Sequence, residues 1–362
     1  MRDMRRHAGQ LLMVGFAGCT VPEDLRLLAR EFDLGGVVLF ARNIEAPEQV
    51  SELSRDVARL AGELPLWVAT DQEGGRVARL KDPFTIWPPM LTLGRSGDAD
   101  LAVRFARALA AELQAVGISL DFTPVLDIGS GSANPAIGDR ALSERAEEVA
   151  RLGSVIIRTL QAEGIAACGK HFPGHGDTRV DSHEELPVVE HPPDRIERVE
   201  LTPFRAAIEA DVAAIMTAHV LFPALDDQRP ATLSPRIVNG MLKQDSAFRG
   251  IAVTDDLEMK AISARLSTAE AAVAALAAGC DVALICGSDQ HAQAAAIEAI
   301  IHAAEDGTLP VKRVEDALTR HRRVKERFLA PAGRPPLTGP ALRQLLGRDE
   351  HAAVAAEMAR FA

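Results

Sequence analysis

The sequence predicts an α/β fold, a single (β/α)8 TIM-type barrel with a short C-terminal tail, and three observations carry that prediction. Eight short apolar runs recur along the 362 residues. They do not alternate strictly between apolar and polar residues, which is the pattern of strands buried on both faces of a parallel sheet. Between them lie stretches with apolar residues at i, i+3, i+4 spacing, as in amphipathic helices. The length exceeds what one ordinary core needs, yet a barrel of this kind holds roughly 200–400 residues as one domain. An open parallel sheet is the runner-up architecture.

In chain order the runs are LLMVGF (11–16), GGVVLF (35–40), LWVATD (66–71), ISLDFTPVLD (118–127), IAACGKHF (165–172), AAIMTAHV (213–220), GIAVTDD (250–256) and DVALICG (281–287). Helices are predicted over 98–117 and 144–164, each ending at a glycine, a usual helix stop, and again over 268–280. No GxGxxG follows the first run and no GxxxxGK[ST] occurs, so nucleotide binding has no motif support. The barrel is expected to span 1–330. Residues 331–340 (PAGRPPLTGP) read as a Pro/Gly linker, and the helical remainder to 362 reads as a tail that docks on the barrel.

Composition narrows the function classes. The apolar fraction of 47% is ample for a core, and the formal charge of −11 argues against a nucleic-acid surface. With no tyrosine and 4% aromatics, an extended aromatic sugar platform is not expected. Cys19, Cys168, Cys280 and Cys286 form no CxxC pair and read as buried free thiols. The N-terminal MRDMRR, the apolar run and Cys19 resemble a lipoprotein-type signal. That run is at the short limit for a signal and fits the first strand, so a cytoplasmic protein is expected, with export through Cys19 the alternative. No run approaches the roughly 18 apolar residues of a membrane span. Neither a membrane nor a nucleic acid is therefore an expected partner, and a monomer is the expected state.

A barrel places its working residues at the C-terminal ends of its strands. Asp71, Asp127, Lys170 with His171, His219, and Asp255 with Asp256 all fall there. The densest stretch is GKHFPGHGDTRVDSH (169–183). Within it Asp181 and His183 stand two apart, so in an extended or turning backbone their side chains point the same way. A carboxylate there accepts a hydrogen bond from the imidazole, fixes its tautomer and raises its basicity. Such a pair can donate and accept a proton near pH 7. No GxSxG is present for acyl transfer. The acids of VTDDLEM (253–259) instead suggest a carboxylate nucleophile paired with an acid/base, the arrangement of retaining glycosidases. The competing reading is a metallohydrolase using His171, His175, Asp177, Asp181 and His183. Neither HExxH nor HxHxDH occurs, so no metal and no cofactor are expected, and His175 and Asp177 are expected to tie the glycine loop together. Asp256 and Glu73 read as structural acids, Lys170 as a buried cation in need of acceptors, and Trp87 as either pocket rim or core.

TDQEGGRV (70–77), KHFPGHGDTRVDSH (170–183) and TDDLEM (254–259), in this order, resemble the family 3 glycoside hydrolases, and more narrowly their bacterial β-N-acetylglucosaminidase branch of cell-wall recycling. The resemblance covers nearly the whole chain. It implies a single barrel that removes a non-reducing β-linked GlcNAc with retention, through a covalent glycosyl-enzyme. It implies Asp255 as nucleophile, His183 as acid/base with Asp181 as its partner, and Asp71 on the sugar's outer hydroxyls. It also implies that Arg76, Arg140, Lys170 and His171 touch the sugar. The implied substrate is a small muropeptide, GlcNAc–1,6-anhydro-N-acetylmuramic acid carrying a peptide. Thr254 stands where the family commonly has Ser, and Ala141 where it often has an aromatic. A glycosyl phosphorylase or broader β-glycosidase, and a catalytically silent sugar-binding barrel, are the remaining alternatives.

Overall fold

The computed structural model describes residues 2–130, 134–329 and 335–362. Each apolar run contributes one strand: β1 Leu12–Val14, β2 Gly36–Leu39, β3 Trp67–Thr70, β4 Leu120–Asp121, β5 Ala166–Phe172, β6 Ala214–Thr217, β7 Ile251–Asp256 and β8 Val282–Ile285. All are parallel, and they close into a barrel in sequence order, β8 pairing with β1 through Leu12 opposite Ala283. The predicted (β/α)8 barrel is therefore present, and the open sheet is not.

The strands read as continuous apolar runs because both of their faces are dry. Met13, Val38, Trp67, Ala69, Leu120, Ala166, Met216, Val253 and Leu284 fill the interior. Their neighbours Leu12, Val14, Val37 and Leu39 face the helices. The outer layer is built from α1 Glu23–Phe32, α2 Pro47–Ala58, α3 Ala99–Ala115, α4 Ala146–Ala162, α5 Thr202–Glu209, α6 Thr268–Ala278, α7 Gln290–Glu305 and α8 Val311–Phe328, with a π-helical turn at Arg236–Asp245. Asp98 caps α3 by accepting from the N–H groups of Asp100 and Leu101, an arrangement that contributes about 1 kcal/mol. Ser267 and Glu270 form a reciprocal capping box on α6.

The N-terminal end of the barrel is plugged by α8. His321 Nδ1–H donates to the Gln10 carbonyl at 2.7 Å, and Trp67 Nε1–H donates to His321 Nε2 at 2.8 Å. Lys325 Nζ donates to Gln10 Oε1 at 2.8 Å, and burial pulls its pKa down to about 7. The C-terminal ends of the strands are left as the open mouth.

The C-terminal segments α9 Gly339–Leu345 and α10 Asp349–Ala359 pack against α3. The buried Glu112 of α3 holds them: it accepts from His351 Nδ1 at 2.8 Å and from the Gly347 N–H at 2.9 Å. It also accepts from the Thr85 hydroxyl at 2.6 Å. Of the linker run, 331–334 lie outside the described residues; the Leu337 carbonyl accepts from Ser51 Oγ at 2.6 Å. Cys168, Cys280 and Cys286 are buried free thiols and Cys19 is half-buried. Among the described residues no helix is long and apolar enough to cross a membrane.

Candidate active site

The open mouth holds a cavity of about 170 Å³. Asp71, Arg140, Lys170, His171, Asp181, His183 and Asp255 all line it, although they come from five stretches of the chain. Phe40, Phe122, Met216 and Leu284 supply apolar wall.

One flank is a buried chain of alternating charges. Lys170, 2% exposed, donates to Asp71 Oδ1 at 2.8 Å and pairs with Glu73 Oε1 at 2.6 Å. Arg79 Nη2 donates to Asp71 Oδ2 at 2.9 Å. Arg140 grips Glu73 with two parallel bonds of 2.8 and 2.9 Å, the fork geometry that suits a carboxylate. Burial alone would raise both carboxyls. For Asp71 the charges of Lys170 and Arg79 reverse this and hold it well below its usual range; for Glu73 those of Arg140 and Lys170 bring it to about 2. Burial would lower Lys170, but Asp71 and Glu73 push it up instead. The whole chain is thus charged at neutral pH, and Glu73 is satisfied by protein groups.

Asp127 organises the next flank. The strand pairing of β4 stops at Asp121, and the chain rejoins β5 through the bridge Val125–Lys170, which brings Asp127 beside His171. His171 Nδ1 lies 2.6 Å from Asp127 Oδ2, while Asp127 Oδ1 accepts the N–H groups of His171 at 3.2 Å and His175 at 2.6 Å. With Nδ1 held, His171 keeps Nε2 for the cavity.

The carboxyls at the end of β7 have different environments. Burial would raise Asp255, but His171, His219 and the Asp256 N–H (2.8 Å) outweigh it, so Asp255 sits below its usual value and is ionised. Asp256 accepts the N–H groups of Glu258 and Cys286, both at 3.1 Å, and burial still lifts it to about 6. His219 Nε2–H donates to the Asp256 carbonyl at 3.0 Å and Nδ1 meets Thr232 Oγ1 at 2.8 Å, which braces the end of β7. Thr254 Oγ1 accepts the Leu284 N–H at 2.9 Å.

Opposite lies the loop after β5. Asp181 Oδ1 accepts both the N–H and the ring Nδ1–H of His183 at 2.9 Å. Burial would raise Asp181, but those two donors hold it below its usual value. The imidazole therefore has a fixed tautomer with Nε2 free. The loop's glycines serve close approach: a Cβ at Gly176 would collide with the Ile128 carbonyl, and Gly174 has φ +138°. Asn134 Nδ2 pins the His175 and Gly176 carbonyls at 2.8 and 2.9 Å.

One expectation changes, and two open readings are narrowed. Arg76 is not on the cavity wall. Gly75, with φ +55°, ends a tight turn that aims Arg76 at the carbonyls of Pro135, Ala136 and Ile137, 2.7–3.1 Å away. Arg79, three residues on, lines the cavity instead, and the sequence signal for it was its place in the same EGGRVARL stretch. Trp87 is core, edge-on to Phe105 at 4.9 Å. Among the described residues no group of three or more His, Cys, Asp or Glu could hold a metal ion. His175 is engaged by Thr178 and Ser182, and Asp177 by His191 at 2.8 Å. Ala141 is buried with Val125, Ala136 and Ile137.

The model of the glycosyl hydrolase family 3 N-terminal domain matches residues 3–324. The chain belongs to glycosyl hydrolase family 3. It is accordingly a glycoside hydrolase. A β-hexosaminidase of Nitrosomonas eutropha is 42% identical over 287 residues, 78% of this chain and 82% of its own. One of Bordetella pertussis is 39% identical over 327 residues, covering 88% and 89%. Among solved structures, a family 3 β-N-acetylglucosaminidase from Paenibacillus superposes with a TM-score of 0.94 at 41% identity, over 99% of this chain and 68% of that one. NagZ of Neisseria gonorrhoeae, solved with N-trifluoroacetyl-D-glucosamine, gives 0.78 at 31% identity, over 97% and 98%.

Proposed function

We propose that this family 3 hydrolase is a retaining exo-β-N-acetylglucosaminidase that uses Asp255 as nucleophile and His183, oriented by Asp181, as acid/base. The observation that carries the reading is that an ionised carboxylate and an imidazole of fixed tautomer line one small cavity. The β-hexosaminidase relatives and the N-trifluoroacetyl-D-glucosamine complex of the Neisseria protein support a 2-acylamido sugar as the glycone.

The proposed chemistry runs in two displacements. Asp255 attacks the anomeric carbon while protonated His183 gives its Nε2 proton to the leaving oxygen, and the glycosidic bond breaks. Asp181 stabilises the imidazolium before transfer and keeps Nε2 turned to the cavity. The neutral ring then takes a proton from water, which attacks the same carbon and releases Asp255. Two displacements at one carbon restore the β configuration. On the other flank Asp71, kept ionised by Lys170 and Arg79, accepts from the outer hydroxyls, and Lys170, Arg79, Arg140 and His171 frame the ring. Arg76 acts at one remove, fixing the 135–137 loop.

The cavity is smaller than the roughly 300 Å³ at which ligand sites usually begin. It suits one pyranose with the rest of the substrate outside, as exo action requires. The substrate in this reading is a GlcNAc–1,6-anhydro-N-acetylmuramic acid fragment with its peptide, processed by a cytoplasmic monomer. The catalytic unit in this reading spans 1–330, and the described tail residues 335–362 brace it. The test is trapping with a 5-fluoro analogue of GlcNAc followed by peptide mapping. The label is expected on Asp255; a label on any other residue refutes the assignment. Release of GlcNAc from the anhydro-muropeptide but not from chitobiose would fix the substrate, and the reverse preference would reject it.

A further inference from the structure

The three residues Asp181, Ser182 and His183 do not share one environment. The His183 side chain is 72% exposed, whereas Ser182 between the two dyad members is 3% exposed. Ser182 points inward and is tethered on two sides. Its hydroxyl meets His175 Nε2 at 3.0 Å, and its carbonyl accepts the Ala261 N–H at 3.2 Å. Ala261 belongs to the short helix Lys260–Ser263 that follows the β7 carboxyls.

His175 is itself a fixed anchor. Its backbone N–H is held by Asp127 and its Nδ1 faces Thr178 Oγ1 at 2.9 Å. Its ring stands edge-on to His171, with centroids 5.8 Å apart. Burial, helped by the neighbouring His171, keeps it neutral by lowering its pKa to about 4. One ring nitrogen then donates and the other accepts, and a hydroxyl can complement either.

We infer that Ser182 is a positioning residue: it pins the far end of the dyad loop to the loop's own start at His175, which Asp127 anchors, and to the β7 loop through Ala261, and so sets His183 Nε2 relative to Asp255. The inference rests on the dyad reading above. Asp181 orients the imidazole from within the loop, but an exposed ring on a loop needs a second fixed point to face a bond held by the barrel. Ser182 supplies it through its two tethers, the hydroxyl to His175 and the carbonyl to Ala261. Its hydroxyl has no role in the reaction itself, and its effect passes through His183.

A leaving-group series separates this role from simple support of the fold. Dinitrophenolate leaves without protonation, whereas methoxyphenolate needs the acid, and kcat/KM reports the step that breaks the bond. Ser182→Ala is expected to lower kcat/KM by about 10- to 100-fold for 4-methoxyphenyl β-GlcNAc and by no more than about 3-fold for the 2,4-dinitrophenyl substrate, the scale of a misplacement of about 1 Å. Ser182→Thr, which keeps the hydroxyl, should recover most of the loss. His175→Asn, which removes the partner and leaves Ser182, should reproduce the split and serves if Ser182→Ala does not fold. His183→Ala is the reference. If it shows no leaving-group split, the dyad reading fails and the pin with it. If it shows the split while Ser182→Ala slows both substrates equally, or neither, the dyad stands and the pin is overturned.

Discussion

Replacing Lys170 by methionine should lower the melting temperature by about 4 °C at pH 7. The ammonium sits at 2.8 Å from Asp71 and 2.6 Å from Glu73 with almost no solvent exposure. Removing one partner of a buried pair costs about 3–5 kcal/mol. Here Arg79 still holds Asp71 and Arg140 still holds Glu73, which places the loss near the lower end, at about 3 kcal/mol. An unfolding entropy of about 2.1 cal/mol/K per residue gives about 0.8 kcal/mol/K for 362 residues, hence the shift of about 4 °C. The pH dependence has a definite sign. Asp71 and Glu73 lie below their usual values, so their contribution is complete above the unfolded values near 4 and is lost as pH falls through the folded ones. Lys170 lies above its usual value, so its contribution is complete below about 10.4 and is lost as pH rises beyond that. The gap between variant and wild type should therefore be flat from about pH 5 to 10 and narrow below about 4, because the variant's carboxyls titrate closer to normal. Melting curves by circular dichroism across this range test it. A variant melting within 1 °C of wild type at pH 7, or a gap that widens toward acid, would refute the reasoning.

Glu112→Gln should loosen the tail. Burial would raise Glu112, but His351 and Thr85 hold it below its usual value, so its contribution exists above about pH 4.3 and fades as pH falls; the variant should lose about 1–3 kcal/mol at pH 7 and be cleaved faster within 335–362 in limited proteolysis. Burial pushes the thiols of Cys168, Cys280 and Cys286 up, Cys280 to about 12. A thiol reagent should therefore titrate Cys19 alone in the native protein and all four cysteines after unfolding. Activity should be unchanged by prolonged EDTA treatment; loss restored by zinc would favour the metallohydrolase reading.

The barrel was legible because strands with two dry faces leave an unbroken apolar signature, and all eight runs carry it. The short β4 was less so. Its run continues to Asp127, but Pro124 brings no N–H to a ladder, and the strand pairing ends at Asp121. Strand-end charges located Asp71, Lys170, His171 and Asp255 on the cavity wall, because a barrel directs them to one mouth. What spacing could not show was direction. Gly74 (φ +123°) and Gly75 (φ +55°) decide that Arg79 rather than Arg76 faces the cavity, and backbone angles of glycines are not written in residue order. Ser182 was invisible for a related reason: its burial comes from a fold of the loop back onto His175, seven residues away, and onto Ala261 in a distant stretch, and neither contact is set by a regular spacing. His219 carried a strand-end signal, but its work as a brace under Asp256 depends on Thr232, which no motif joins to it.

The most direct test of the pairing of Asp255 with His183 is the product formed by His183→Ala in the presence of azide with an activated aryl β-GlcNAc. Azide needs no base, so it should restore turnover and yield the β-glycosyl azide. No rescue, or an α-azide, would contradict a histidine base acting on a glycosyl-enzyme held by Asp255.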